Sequence, residues 1–404
     1  MVGVAVTGVG LVTPIGTGHE EVWPALLAGR SGFRPVASFD TARHLTHLGA
    51  EVLDFDPGRW QKRLPAASLG RASQLAIAGA RLALADAGLD PAALDPERAG
   101  VSMGTTTGEP LEIERYDDLW LEGRLDELGP WFTERYPCHL IAAHVAAELG
   151  FGGPNQMIPT ACAAGNYAIA YAFDALRAGR ADLMLAGGAD AFSRITYTGF
   201  GKLGAIAPDV VRPFDKNRQG MIPGEGAGIL VLERTEDARS RGATVYAEIA
   251  GYGLSCDAHH MTAAHPEGDG PARAMEAALR ASDLSPADVS YVSAHGTGTP
   301  TNDRLETLAV HRVFGRGGNV PISSIKSMIG HTMGAASAIE AAVCALAIAT
   351  GWIPPTTNFT EPDPDCDLDC VPNAAREIPV EVAMNNAYAF GGNNASVILR
   401  KAHA

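Results

Sequence analysis

The sequence predicts an α/β protein built from layered sheets. Short β-branched runs alternate with Ala- and Leu-rich helical stretches, and Gly-rich turns separate the two kinds of segment. The composition agrees, with 46% of residues hydrophobic and 19% charged, which excludes a disordered chain. Glycine accounts for 46 of the 404 residues, about 11% against a usual value of roughly 7%. No G-X-Y period accompanies it, so collagen is excluded. The excess belongs in tight turns and where backbone packs closely on backbone or ligand. The length allows two or three units of ordinary domain size with ample core.

Taken in order, residues 2–7 read as a strand, with Gly8, Gly10 and Pro14 as turn material after it. Residues 71–88 (RASQLAIAGARLALADAG) read as a helix ending at a Gly cap. Further helices are expected at 140–149 and 165–178, a buried strand at 183–186 entering Gly187 and Gly188, and another strand at 228–233. Near residue 240 the pattern restarts, with a strand at 245–249, a helix at 272–281 and a strand at 289–293 running into His295-Gly296-Thr297. A short segment at 321–324, a helix at about 335–349 and a closing strand at 396–400 complete the chain. Two halves, 1–240 and 241–404, therefore each hold strand–helix–strand units ending in Gly-rich turns. The pattern suggests an internal duplication, although the halves share little visible sequence. Residues 112–134 are richer in acidic and aromatic side chains and read as a solvated or subunit-facing excursion.

The 31 basic and 46 acidic residues give a formal net charge of −15 and no basic stripe, which argues against nucleic acid as the main partner. Six cysteines at irregular spacing do not make a disulfide framework, so a reducing compartment fits better. The opening stretch MVGVAVTGVGLVT lacks the basic n-region of a secretion signal. Glu340 and then Pro354 and Pro355 bracket the longest apolar run, so no membrane span is expected. A cytoplasmic location follows as the expectation.

Cys162 stands in Pro159-Thr160-Ala161-Cys162-Ala163-Ala164-Gly165, at the start of a helical pattern. A thiol there faces unpaired N–H groups and the positive end of the helix dipole, which favour the thiolate. Its small neighbours would let a substrate carbonyl approach the sulfur. Taken alone, the residue reads more readily as a buried structural cysteine, and the rest of the chain shifts that balance. His295 lies in Ser293-Ala294-His295-Gly296-Thr297-Gly298-Thr299-Pro300, directly after a strand. His331 lies in Lys326-Ser327-Met328-Ile329-Gly330-His331-Thr332-Met333-Gly334, leading into a helix. Either histidine alone could be a satisfied core residue. Together with Lys326 and a nucleophile-like cysteine, they are what decarboxylative carbon–carbon bond formation needs. A thiolate holds an acyl group, and two N–H donors stabilise the enolate oxygen formed as CO2 leaves.

In this order the T-A-C-A-x-G, A-H-G-T-G-T and K-S-x-x-G-H-x-x-G-A-A motifs are highly specific. The chain resembles the β-ketoacyl–acyl-carrier-protein synthases, the elongating condensing enzymes of fatty-acid and type II polyketide synthesis. The resemblance runs from Val4-Ala5-Val6-Thr7-Gly8-Val9-Gly10 to Ala389-Phe390-Gly391-Gly392-Asn393-Asn394. It implies a thiolase-like fold, two βαβαβαββ halves stacked as α-β-α-β-α, and a catalytic triad of Cys162, His295 and His331. It further implies that the backbone N–H groups of Cys162 and Phe390 form the oxyanion hole, and that Lys326 orients His331 and tunes the local charge. The two histidines must be neutral, so their pKa values should not be raised. Thr297 and Thr299 match the family's contacts to phosphopantetheine, with Phe390 and Gly391 at the gate, while Glu340 and Asn385 match supporting positions. No resident cofactor and no metal are implied, because phosphopantetheine arrives on an acyl carrier protein bringing acyl and malonyl groups.

Several residues depart from the housekeeping fatty-acid pattern. Ala389 replaces the first glycine of the usual Gly-Phe-Gly-Gly gate, so the motion of Phe390 is expected to change, since alanine takes positive φ less freely. Asn393 stands where the family more often has Thr, and Thr107 aligns near the floor of the acyl pocket, where many relatives carry a larger apolar residue. These changes point to a specialised acyl chain, a polyketide or polyene. The leading expectation is a ketosynthase of type II polyketide synthesis, with a housekeeping fatty-acid synthase as the alternative. A non-catalytic chain-length subunit is disfavoured by the presence of all three triad residues. A thiolase is disfavoured because no cysteine stands at the C-terminal Gly-rich turn. The resemblance leaves open a homodimer or a heterodimer with a chain-length-factor-like subunit. Because carrier protein is acidic, docking needs a local basic patch, for which Lys62, Arg63, Arg71 and Lys202 are candidates. Three decoys are set aside. Gly8-x-Gly10 lacks the third glycine of a dinucleotide fingerprint, Cys366-x3-Cys370 lacks further zinc-type ligands, and His259-His260 with His265 matches a substrate-side loop rather than a metal site.

Overall fold

Near-continuous apolar strands buried on both faces build the frame, as sheets covered by helices on each side require. The computed structural model describes residues 2–317 and 320–402. Its main sheet has 11 strands. In chain order we label ten of them β1 (Val4–Thr13), β2 (Ala99–Gly104), β3 (Asn155–Ile158), β4 (Leu183–Asp190), β5 (Gly226–Arg234), β6 (Ala247–Cys256), β7 (Tyr291–Ser293), β8 (Ile322–Ser323), β9 (Val382–Tyr388) and β10 (Asn393–Arg400). The remaining strand, Gly16–Thr17, folds back on the end of β1. The helices used below are α1 (Arg71–Asp86), α2 (Pro110–Leu121), α3 (Leu140–Leu149), α4 (Ala164–Arg177), α5 (Arg194–Lys202), α6 (Asp269–Ala281), α7 (Pro300–Phe314) and α8 (Ala336–Thr350).

The pairing repeats. The first half runs β3-β2-β4-β5-β1, its first two pairings parallel and the next two antiparallel. The second runs β8-β7-β9-β10-β6 with the same sequence of directions. Antiparallel pairing of β1 with β6 joins them. Between the two half-sheets lie α4 and α8, in contact with each other and with strands of both halves, while α1 and α3 cover the outer face of the first and α6 and α7 that of the second. This is the five-layer thiolase-like arrangement.

Local differences from the sequence reading have packing causes. Gly8 and Gly10 are not turn residues; both lie inside β1, which is longer than residues 2–7. A Cβ on Gly10 would sit 1.9 Å from the carbonyl oxygen of Gly79 on α1, so glycine here serves close helix–strand approach. The 112–134 excursion contains α2 and exposes Trp120 and Leu121, 61% and 84% accessible. Among the described residues one stretch, Met333–Thr350, is apolar and long enough to cross a membrane, contrary to the expectation that none would be. It is the central helix α8 and the turn before it, 89% buried in the fold, and its one carboxylate, Glu340, is paired there with Lys326.

Candidate active site

The chemistry-bearing residues lie at the strand ends that meet the two central helices. After β3 the chain makes a tight turn over Ala161–Ala163 and enters α4. Ala161 takes φ 50°, a left-handed conformation that costs a non-glycine residue about 1–2 kcal/mol. That strained turn carries Cys162 in the wall of a cavity shared with His295, His331, Thr297, Thr299 and Phe390. His295 follows the end of β7, and its position is fixed by Glu306 on α7, whose carboxylate accepts the amides of His295 and Gly296, each at 2.8 Å. His331 follows β8 and the short helix Lys326–Ile329.

Nε2 of His331 lies 3.1 Å from Sγ of Cys162. Nδ1 of the same ring accepts the Met333 amide at 3.1 Å, so the proton of the neutral imidazole resides on Nε2 and faces the sulfur. The His295 ring stands edge-on to His331, centroids 5.6 Å apart. Burial, followed by the charge of Lys326, holds both histidines well below the ordinary imidazole range, and His331 adds to the effect on His295. Both are therefore neutral at neutral pH, as the sequence reading required.

The thiol behaves otherwise than its helix-start position suggested. Burial pushes Cys162 up to about 12, and Lys326 only partly opposes this. Desolvation by burial outweighs the helix terminus here. Lys326 also departs from the expected role of orienting His331. Its ammonium is fully buried and pairs with the Glu340 carboxylate, while the Met333 amide orients the ring. Lys326 acts on the histidines through its charge. Glu340 is pushed up to about 7 by burial despite that partner.

Thr297 and Thr299 line the cavity with their hydroxyls 2.8 Å apart. Phe390 is 39% exposed at its edge and packs on Phe200, ring centroids 5.7 Å apart. Gly391 also lines the cavity and donates its amide to the Met261 carbonyl at 2.8 Å. Ala389 has φ −131° and ψ 155°, extended backbone that any residue adopts, so its methyl brings no strain to this turn. Thr107 is not brought to the cavity, because its amide and hydroxyl both donate to Asp190, at 3.0 and 2.9 Å. Asn385 lies behind the site and donates to Asn166 Oδ1 and the Ser337 carbonyl, tying β9 to α4 and α8.

Of the four docking candidates, Lys62, Arg63 and Lys202 are exposed. Arg71 is withdrawn, its guanidinium 2.8 Å from Glu225 and bonded to the Val52 carbonyl. His260 lines the cavity, and His259 packs edge-on against His265. Among the described residues no group of three or more His, Cys, Asp or Glu is arranged to hold a metal ion. Cys366 and Cys370 are buried in the second-half core.

Comparison with known proteins identifies what this geometry belongs to. The β-ketoacyl synthase N-terminal domain matches residues 1–238 and the β-ketoacyl synthase C-terminal domain residues 246–360. The chain belongs to the β-ketoacyl synthase family. The ketoacyl synthase alpha subunit of the tetracenomycin polyketide synthase of Streptomyces glaucescens is 42% identical, over 98% of this chain and 97% of its own. The 3-oxoacyl-(acyl-carrier-protein) synthase 2 of Synechocystis sp. is 39% identical over 98% of each chain. Among solved structures, the ishigamide ketosynthase/chain length factor matches with a TM-score of 0.97 and 46% identity, covering 100% of both chains. The chain is thus a ketosynthase, an acyltransferase of fatty-acid or type II polyketide synthesis.

Three contributors to this ketosynthase site escaped the sequence reading. Asp190, at the end of β4, accepts Thr105 Oγ1, the Thr106 amide, both Thr107 donors and the Gly334 amide, all within 3.0 Å. It clasps the turn after β2 to the turn before α8. Glu306 was legible only as an acid eleven positions beyond His295 in Asn302-Asp303-Arg304-Leu305-Glu306. The Met333 amide has no sequence signal at all.

Proposed function

We propose that this ketosynthase condenses an acyl group held on Cys162 with malonyl carrier protein, in type II polyketide synthesis. The observation that carries the reading is the pairing of Cys162 with the Nε2 proton of His331, with neutral His295 alongside, in a cavity that the part-exposed Phe390 also lines. In the first half-reaction the Cys162 sulfur attacks the acyl thioester of the carrier. The C–S bond to pantetheine breaks, and the thiol proton lost by Cys162 balances the one gained by the departing pantetheine thiol. The oxyanion of the tetrahedral intermediate lies between the backbone N–H groups of Cys162 and Phe390, where one lost donor typically costs about 10² to 10³ in rate.

In the second half-reaction malonyl carrier protein extends its arm past Thr297 and Thr299. The bond to the carboxylate breaks, CO2 leaves, and the electron pair moves onto the thioester carbonyl. Nε2–H of His331 and the imidazole of His295 stabilise that enolate oxygen, a task that suits neutral donors because they do not protonate carbon. The enolate carbon then attacks the acyl-Cys162 carbonyl, the C–S bond breaks, and the sulfur regains a proton. Lys326 keeps both rings neutral, and Glu340 balances its charge. Phosphopantetheine is supplied by the carrier.

Support for polyketide over housekeeping fatty-acid synthesis comes from the full-length likeness to a ketosynthase/chain length factor, and Trp120 and Leu121, exposed at the end of α2, suit a paired subunit. A homodimer is the other arrangement. Of the four docking candidates, Lys62, Arg63 and Lys202 are exposed and would meet an acidic carrier. The test uses intact mass and CO2 release. Cys162→Ala takes up no acyl group from acyl carrier protein, whereas His295→Ala and His331→Ala acylate but release no CO2 from malonyl carrier protein. Acylated Cys162→Ala, or normal decarboxylation in either histidine variant, defeats the assignment. Native mass after co-expression with neighbouring reading frames separates the homodimer from the heterodimer.

A further inference from the structure

The gate residue Phe390 leans on Phe200, and Phe200 belongs to α5, a nine-residue helix with contacts at both ends. Its middle is pinned by Tyr197, which is fully buried, bonded to Thr46 at 2.9 Å and packed among the rings of Phe39 and Phe192. Its first turn is held from outside. The Glu114 carboxylate of α2 accepts the Ile195 amide at 3.0 Å, and Arg194 pairs with Asp118 of α2 at 2.9 Å. A carboxylate at a helix N-terminus satisfies amides that the helix itself leaves open and complements its dipole. Two successive turns of α2, carrying Glu114 and Asp118, therefore clamp one end of a short rigid lever whose other end bears the aromatic partner of the gate. Between them Tyr197 is the natural pivot. In the last turn of α5, Phe200 packs on the Phe192, Tyr197 and Ile206 cluster, while the space beside Gly199 is open.

We propose that Glu114 and Asp118 are positioning residues for the gate: by fixing the first turn of α5 they set where Phe200 meets Phe390, and so how readily a long acyl chain passes between the two rings. This rests on the reading that acyl groups reach Cys162 past Phe390. An acetyl group is too short to lie between the rings, so its transfer is insensitive to their spacing. A long chain must have both rings in place, and a loosened α5 must be ordered again each time one enters, which lowers the rate through lost preorganisation. The clamp lies on the α2 excursion that presents Trp120 and Leu121 outward, so a subunit covering that face would act on chain selection through the same lever.

The experiment measures initial rates of Cys162 acylation by intact mass, using the full-length chain with acetyl-loaded and dodecanoyl-loaded carrier protein. Glu114→Ala is expected to lower the dodecanoyl-to-acetyl rate ratio about fivefold, the ordinary scale of coupling between sites. Acetyl transfer stays within about twofold. Glu114→Gln, which keeps an acceptor oxygen, restores most of the ratio. In a Phe200→Ala background Glu114→Ala has no further effect, because the lever has lost its end. Equal loss of both rates, or a full additive effect of Glu114→Ala in the Phe200→Ala background, overturns the proposal. Should Glu114→Ala fail to fold, Arg194→Met removes the Asp118 pair while the Glu114 acceptor of the Ile195 amide stays in place. A lowered ratio then supports the clamp and an unchanged one refutes it. An unsubstituted chain that loads neither carrier overturns the condensing function itself, whereas one that loads both with the variants unchanged overturns only the lever.

Discussion

The turns that begin α4 and α8 occupy equivalent places in the two halves and do opposite things. Each is a single tight turn, and each carries a non-glycine residue in the left-handed region, Ala161 at φ 50° and Met333 at φ 55°. The next residue is Cys162 in one and Gly334 in the other. The first faces the cavity. The second is closed by packing across the halves: its amide donates to Asp190 at 2.7 Å, and a Cβ there would lie 2.5 Å from the Thr105 carbonyl carbon. Duplication supplied two strained turns. One holds Cys162 at the cavity, while the other, through the Met333 amide, fixes the tautomer of the histidine that faces its sulfur. A paired architecture can thus divide one site between two copies of a motif, provided that the copy without the cysteine is locked.

The sharpest way to break the comparison is to make the turns alike. Cys162→Gly should lower acyl loading by about 10³ or more while preserving the fold, as read by intact mass and circular dichroism. Retained loading would mean that the nucleophile lies elsewhere. The converse test inserts a methyl into the locked turn. Gly334→Ala forces contact with backbone atoms that cannot move aside, and should destabilise by about 2–3 kcal/mol and depress kcat. Gly199→Ala, with nothing within 4 Å of the added carbon, should not destabilise; denaturant melts compare the two.

Titration separates the halves next. Burial holds His295 and His331 below their unfolded value of about 6.5, so the unfolded chain takes up protons first as pH falls. Their contribution to stability is present above about pH 6.5 and is lost as pH drops below it. Cys162 is pushed up to about 12, so its contribution is present below its unfolded value of roughly 8.5 and is lost as pH rises beyond that. His331→Asn should flatten the acid limb of Tm against pH, and Cys162→Ala the alkaline limb. The reverse assignment of limbs would be incompatible with neutral buried rings and a neutral buried thiol. The smallest effect concerns docking. Lys202→Glu should raise KM for carrier protein a few fold, more at low salt than at high, and leave Tm unchanged. Arg71→Ala should instead lower stability, because it leaves Glu225 without its guanidinium.

Much of the site could be read from the chain because each half writes its chemistry as strand, Gly-rich turn and helix. Cys162, His295, His331, Thr297 and Thr299 all line one cavity from segments whose local sequence announced a strand end or helix start. Positions that act through a neighbour were less legible. Thr107 lies next to the right turn, but its donors are committed to Asp190. Lys326 has the right motif but the wrong partner, since Glu340 stands one packed helix away. Gly8 and Gly10 looked like turn residues because nothing in β1 reveals that α1 will press against it.

By itself the sequence determined the α/β class, the repeat of its pattern near residue 240, and which cysteine and histidines line one cavity. Those follow from local periodicity and from motifs whose spacing is set by one strand end and one helix start. Only the tertiary structure decided the ionisation of Cys162, the tautomer of His331, the true partner of Lys326 and the clasp made by Asp190. Each of these depends on burial and on atoms far apart in the chain. A helix start favours a thiolate only where burial does not outweigh it, and here burial prevails over both the helix terminus and the charge of Lys326.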